Sequence, residues 1–155
     1  MRKPLVYLAG AMEKAGKYGS VWRAEITPHL EELGYAVWNP YEEEQGVGID
    51  VKGLSNLKYS DFNTYRDHCQ RIVDYDIEHL KTCSLVVCRL DWAVQLGAGT
   101  YGELTVCREH KIPVYAWIDR EKGKFDIPGW AMGCLTAYTT NKSDFYAMIP
   151  SPENI

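Results

Sequence analysis

Five short apolar runs, separated by segments with helical spacing or loop character, constrain this chain more than any other feature of its sequence. The runs are Pro4–Gly10, Tyr35–Pro40, Ser84–Leu90, Ile112–Ile118 and Cys134–Thr139. After the first, Trp22, Ile26, Leu30 and Leu33 recur at helical spacing, and Gly34 supplies a stop. Pro28 either interrupts that helix or opens a second segment capped by Thr27. Helices are expected from Ser60 or Asp61 to Lys81, over Gly99–His110, and near Lys142–Met148 behind a cap at Asn141 or Ser143. Residues 41–60 are acidic, then rich in Gly and Ser, and read as a long functional or mobile connection.

Strands that alternate with helices imply a parallel sheet covered on both faces. The expected fold is therefore α/β: a single doubly wound, flavodoxin- or Rossmann-like domain over residues 1–155, with about five strands. Right-handed crossovers put the loops after strands one, three and four on the carboxyl edge, where such sheets bind ligands. A net charge of −4 argues against a nucleic-acid polymer as partner, because phosphate-backbone binding needs clustered Lys and Arg. No apolar run is long enough for a membrane span, and the start passes directly into a strand-like run, so no signal peptide is expected. The five cysteines are odd in number and include no Cys-x-x-Cys pair, which implies a reducing, cytoplasmic compartment. His29, His68, His79 and His110 show no metal-ligand spacing, and each reads as a surface or helix-edge residue.

Two carboxylates stand out. On the helix ending at Lys81, Cys69, Ile72, Val73, Ile77 and Leu80 define an apolar stripe. At about 100° per residue, Asp76 falls about 20° from Cys69 and about 40° from Ile72 and Leu80, inside the stripe. Asp74 and Glu78 point away. A carboxylate on a buried face is costly unless it is paired or faces a cavity, so Asp76 is either a satisfied core residue or a functional one.

The second is Glu103, in Gly97-Ala98-Gly99-Thr100-Tyr101-Gly102-Glu103. Glycines opening a helix let a ligand approach backbone amides closely. Thr100 and Glu103 also have the spacing of a capping box, which is the competing structural explanation. Against it, a glycine at 102 costs helix stability and leaves room for something beside it. A carboxylate in a first helical turn is held ionised by the helix dipole, as a nucleophile or oxocarbenium stabiliser requires. Gly97 to Gly102 also matches Gly-x-Gly-x-x-Gly, with Asp119 at the end of the next strand. Residues 91–96 separate these glycines from their strand, which weakens a dinucleotide reading. Tyr7 lies near the carboxyl end of the first strand. Lys14, Lys17 and Ser20 follow Gly10 in a loop that could meet a phosphate, and Trp130 is a loop aromatic available for stacking or a subunit contact.

Together these segments resemble the nucleoside 2-deoxyribosyltransferase family and the related 2'-deoxynucleoside 5'-monophosphate N-hydrolases. The likeness runs over residues 4–118, with a looser echo to Ile149. Val6-Tyr7-Leu8-Ala9-Gly10 is similar to the family's first strand and its Tyr; Trp22 through Pro40 resembles the next helix and strand. Asp76 through Ser84 resembles the helix bearing the catalytic aspartate, and Gly99 through Glu103, with His110 through Val114, the nucleophile helix and its following strand. The resemblance implies Glu103 as nucleophile, Tyr7 as its orienting partner and Asp76 as acid to the leaving base. It also implies a nucleoside or nucleotide and a free base as ligands, no metal or cofactor, and a homo-oligomer in which a neighbour completes the site. The chain departs from the family where Gly97 stands in place of an Asp, for which Asp91 could substitute. Pro128-Gly129-Trp130 occupies roughly the region of a C-terminal Asn-x-Met element. Transfer to a second base, hydrolysis by water and a non-catalytic nucleotide sensor all remain open on this reading.

Overall fold

A computed structural model describes residues 2–12, 15, 17–46, 51–120 and 125–155, the side chains of 17, 18, 44–46, 51 and 52 excepted. The chain order is β1 (Leu5–Gly10), α1 (Lys17–Leu33), β2 (Ala36–Trp38), α2 (Pro40–Gly46), α3 (Val51–Ser60), α4 (Phe62–Thr82) and β3 (Leu85–Leu90). It continues with α5 (Gly99–His110), β4 (Val114–Ile118), α6 (Gly129–Cys134), β5 (Ala137–Thr139) and α7 (Lys142–Met148). All five strands are parallel, in the order β2-β1-β3-β4-β5. This is the doubly wound architecture that the alternation of elements predicts.

Strands buried on both faces read as continuous apolar runs, and β1 and β3 do so because helices cover both sides. One face carries Tyr7, Ala9, Val86, Cys88, Val114 and Ala116 against residues of α4, α5 and α6, among them Leu80, Leu104 and Ala131. The other packs Val6, Leu8, Val87 and Trp117 against Trp22, Ile26 and Leu30 of α1 and Phe145 of α7. Local signals set the helix ends. Asp61 caps α4 by accepting from Thr64 N at 3.0 Å, and Asn141 caps α7 by accepting from Asp144 N at 3.1 Å. Gly34, at φ +105°, closes α1 in the left-handed region that glycine tolerates.

α1 runs unbroken through Pro28. The proline removes a donor to the carbonyl of Ala24, an exposed residue whose carbonyl water can serve. Helix also starts earlier than the apolar spacing suggests, at Lys17. The expected long connection over residues 41–60 is replaced by α2 and α3, with residues 47–50 outside the described set. Of the expected fifth strand, Cys134 ends α6 and only Ala137–Thr139 form β5. No helix among the described residues is long and apolar enough to cross a membrane.

Candidate active site

The strand order reverses its direction of growth between β1 and β3, and this is where open parallel sheets bind ligands. β1 ends there in Gly10, paired with Arg89 of β3. Gly10 has φ +156°, and a Cβ on it would lie 3.1 Å from both the Arg89 carbonyl and the Trp22 ring. Glycine is required by backbone conformation and by space alike.

Tyr7 is fully buried, its ring held between β2 and β3 by pairing with Trp38 and Val86. Its hydroxyl donates to Glu103 Oε1 at 2.8 Å. Glu103 itself is half-buried. A buried phenol aimed at a partly open carboxylate helps fix that carboxylate's rotamer and engages one of its lone pairs. The charge of Glu103 also reaches the core beneath it. Burial first, and Glu103 second, push the Cys88 thiol well above its ordinary range.

The expected capping box does not form. Ala98 is the N-cap of α5 and makes no side-chain cap bond, while Thr100 is buried inside the first turn. Glu103 is the fifth helical residue, one past the first turn, where the dipole has largely faded. Tyr7 reaches it from the sheet as a hydrogen-bond donor. Gly97, Gly99 and Gly102 border open space, since a Cβ on any of them would meet nothing within 4 Å. Protein packing does not explain these three glycines.

On α4, Asp74 and Glu78 are exposed and Asp76 is half-buried with its Oδ1 shielded from water, as the wheel predicts. The stripe is narrower than expected, because Val73 is 52% exposed. One turn beyond Asp76, His79 stacks on Trp38 with ring centroids 3.7 Å apart, and Tyr75 packs against both rings. His79 is thus a half-buried member of an aromatic cluster. The Trp38 indole N–H and the Tyr101 hydroxyl are buried and have no hydrogen-bond partner among the described residues.

Arg23 is the residue that sequence reasoning missed. It is fully buried on α1, and its guanidinium donates to the carbonyls of Gly10 at 3.0 Å, Gly19 at 2.5 Å and Ala11 at 3.4 Å. It ties the start of α1 to the end of β1. The signal was present: at about 100° per residue Arg23 falls about 20° from Leu30, inside the apolar stripe of α1.

The remaining expected site residues are dispersed. Lys14 lies outside the described residues, Lys17 opens α1 with an undescribed side chain, and Ser20 is half-buried in its first turn. Asp91 is buried and caps the short 3-10 turn Trp92–Leu96, accepting from Ala93 N at 3.0 Å with Arg89 3.6 Å away. That cap and that cation explain Asp91 without a ligand. Asp119 is engaged by Arg89 at 2.6 Å, so its carboxylate is not presented to a ribose as a dinucleotide site requires. Trp130 is 71% exposed on α6, its indole donating to Thr105 Oγ1 at 3.0 Å. All five cysteines are free, and no His/Cys/Asp/Glu cluster among the described residues could hold a metal. A shallow hollow of about 480 Å³ lies at the opposite edge, lined by Arg108, Lys111, Pro113 and Thr136, away from Tyr7 and Glu103.

Fold and site together define a doubly wound α/β protein whose candidate centre, a Tyr–Glu pair, sits at the β1/β3 switch point. Among solved structures, this chain is similar to a 2-deoxyribosyltransferase from Bacillus psychrosaccharolyticus, with 22% identity, a TM-score of 0.61, and coverage of 95% of this chain and 96% of that one. It is also similar to a conserved protein from Enterococcus faecalis V583, with 16% identity, a TM-score of 0.67, and coverage of 94% and 96%. No protein-family model matches the sequence, and a search of curated proteins returns no significant match. At these identities the likeness establishes a shared fold over nearly the whole of each chain.

Proposed function

We propose that this protein cleaves the N-glycosidic bond of a 2'-deoxynucleoside or its 5'-monophosphate and transfers the deoxyribosyl group to another base. The observation that carries this reading is the 2.8 Å bond from the buried Tyr7 hydroxyl to the half-buried Glu103 carboxylate. It is supported by the glycines at 97, 99 and 102 that border open space, and by the fold shared with a 2-deoxyribosyltransferase.

In this reading a Glu103 carboxylate oxygen attacks C1' as the glycosidic bond breaks. The bond's electron pair leaves with the base, and Asp76 delivers a proton to it. The second Glu103 oxygen keeps its hydrogen bond from Tyr7 while the ester forms. An incoming base then attacks C1' as its N–H proton passes to the Asp76 carboxylate, the ester bond breaks, and Glu103 returns as a carboxylate with configuration retained. In this reading Gly10 at the end of β1 and Ser20 at the start of α1 take the 5' side of the substrate, with Lys14 and Lys17 as phosphate contacts assigned from the sequence, and Thr100 with its neighbouring glycines takes the other. Water in place of the second base gives the hydrolase, the second reading, favoured by the absence of an Asp at position 97. The site belongs in a cytoplasmic homo-oligomer, with the exposed Trp130 available to a neighbouring chain.

The test is chromatography after incubation with mixed deoxynucleosides and deoxynucleotides, with and without an acceptor base. Exchanged nucleosides establish transfer, and free deoxyribose or its phosphate establishes hydrolysis. Loss of both in Glu103→Ala, with melting unchanged, assigns the nucleophile; full activity in that variant removes Glu103 from the mechanism.

A further inference from the structure

Among the described residues the Trp38 indole N–H finds no hydrogen-bond acceptor. Indole nitrogen donates only, so nothing but an acceptor can satisfy it. A buried donor without a partner costs about 1–3 kcal/mol, and such groups in native proteins call for an explanation. Trp38 is the last residue of β2, paired in register with Tyr7 and therefore on the same face of the sheet. Its ring lies flat on His79 and against Tyr75, the residues that bracket Asp76 on α4. Trp38 thus neighbours Tyr7 on one side and, through its ring contacts, the turn of α4 that carries Asp76 on the other; the residue as a whole is half-buried.

Resting on the deoxyribosyl-transfer reading, we propose that Trp38 is a substrate-binding and specificity residue. Its N–H donates to an acceptor atom, a carbonyl oxygen or ring nitrogen, on the departing base. There it orients the base toward Asp76 and stabilises the negative charge that builds as the glycosidic bond breaks. A structural role for the same N–H, such as a contact with the Tyr75 ring, predicts the opposite behaviour on substitution.

The experiment is Trp38→Phe, which keeps an aromatic ring on His79 and deletes only the donor and the second ring. Melting of the free protein and kcat/KM for the four common 2'-deoxynucleosides and their 5'-monophosphates are measured beside the wild type. The expected result is a three- to tenfold loss in kcat/KM, the span for one neutral hydrogen bond to a ligand, with melting unchanged or raised. Unchanged kcat/KM overturns the proposal, and so does a loss accompanied by a large drop in melting temperature. If the wild type itself neither cleaves nor exchanges any of these compounds, the reaction assignment fails, and the role of Trp38 with it.

Discussion

Substituting Tyr7 by Phe isolates the one contact on which the candidate centre is built. The ring is fully buried, so Phe keeps every packing contact against Trp38 and Val86 and deletes only the hydroxyl. What is lost is a 2.8 Å bond to a carboxylate, and hydrogen bonds to charged groups are worth about 1.5–3 kcal/mol. If that interaction holds Glu103 in its attacking rotamer through the transition state, kcat/KM falls roughly 10- to 150-fold. The effect on stability is much smaller. Glu103 is half-buried, so water replaces the missing donor, and the expected change is within about 1 kcal/mol, or about 2–4 °C in Tm. The assay is single-turnover release of base from a deoxynucleoside, with a melting curve taken on the same preparation. Wild-type turnover in Tyr7→Phe would refute the reasoning. So would a Tm lowered by more than 10 °C, because the hydroxyl would then be holding the fold rather than the nucleophile.

Arg23→Met leaves the buried carbonyls of Gly10 and Gly19 without their donor, and a loss of ~3 kcal/mol or more is expected in urea unfolding. A loss under ~1 kcal/mol would mean that water serves those carbonyls. The Asp61 carboxyl is held below its ordinary range, chiefly by the Thr64 hydroxyl and then by the Thr64 amide. A depressed folded value stabilises above the unfolded one and is lost as pH falls through the folded one. Asp61→Ala is therefore expected to melt lower than wild type at neutral pH, the gap closing below the usual carboxylate range; a gap independent of pH would dismiss the cap. Burial pushes the Cys83 and Cys107 thiols up to about 12 and the Cys88 thiol well above its ordinary range, while Cys69 is partly exposed. A thiol-specific reagent at pH 8 should titrate one cysteine quickly in the native protein and five in denaturant. Rapid native reaction of three or more would contradict this core.

Two elements show why sequence reasoning stopped where it did. Helix α3 contains Gly53, Ser55 and Asn56, residues of low helix propensity, and its support comes from packing on α4. The six residues of α6 include two glycines, and Ala131 and Cys134 are buried where this helix packs beside α5. In both, tertiary contact overrides local preference, and no window of sequence contains that contact. By contrast α5 begins and ends at the residues its spacing indicates, because a long periodic segment needs no distant partner to declare itself.

By itself, then, the sequence determined the alternation of the strands with α1, α4, α5 and α7, the parallel sheet, and the caps of α4 and α7 to within two residues each. It also set the angular positions that put Asp76 and Arg23 on apolar faces. All of these follow from backbone geometry that repeats within a few residues. The tertiary structure alone decided that Tyr7 meets Glu103 across 96 positions of chain. It also decided that Thr100 caps nothing, that Asp119 is held by Arg89, and that Trp38 lies between Tyr7 and the turn carrying Asp76. Those juxtapositions depend on strand register and crossover packing, which join segments far apart in the chain and leave no trace in the spacing of either.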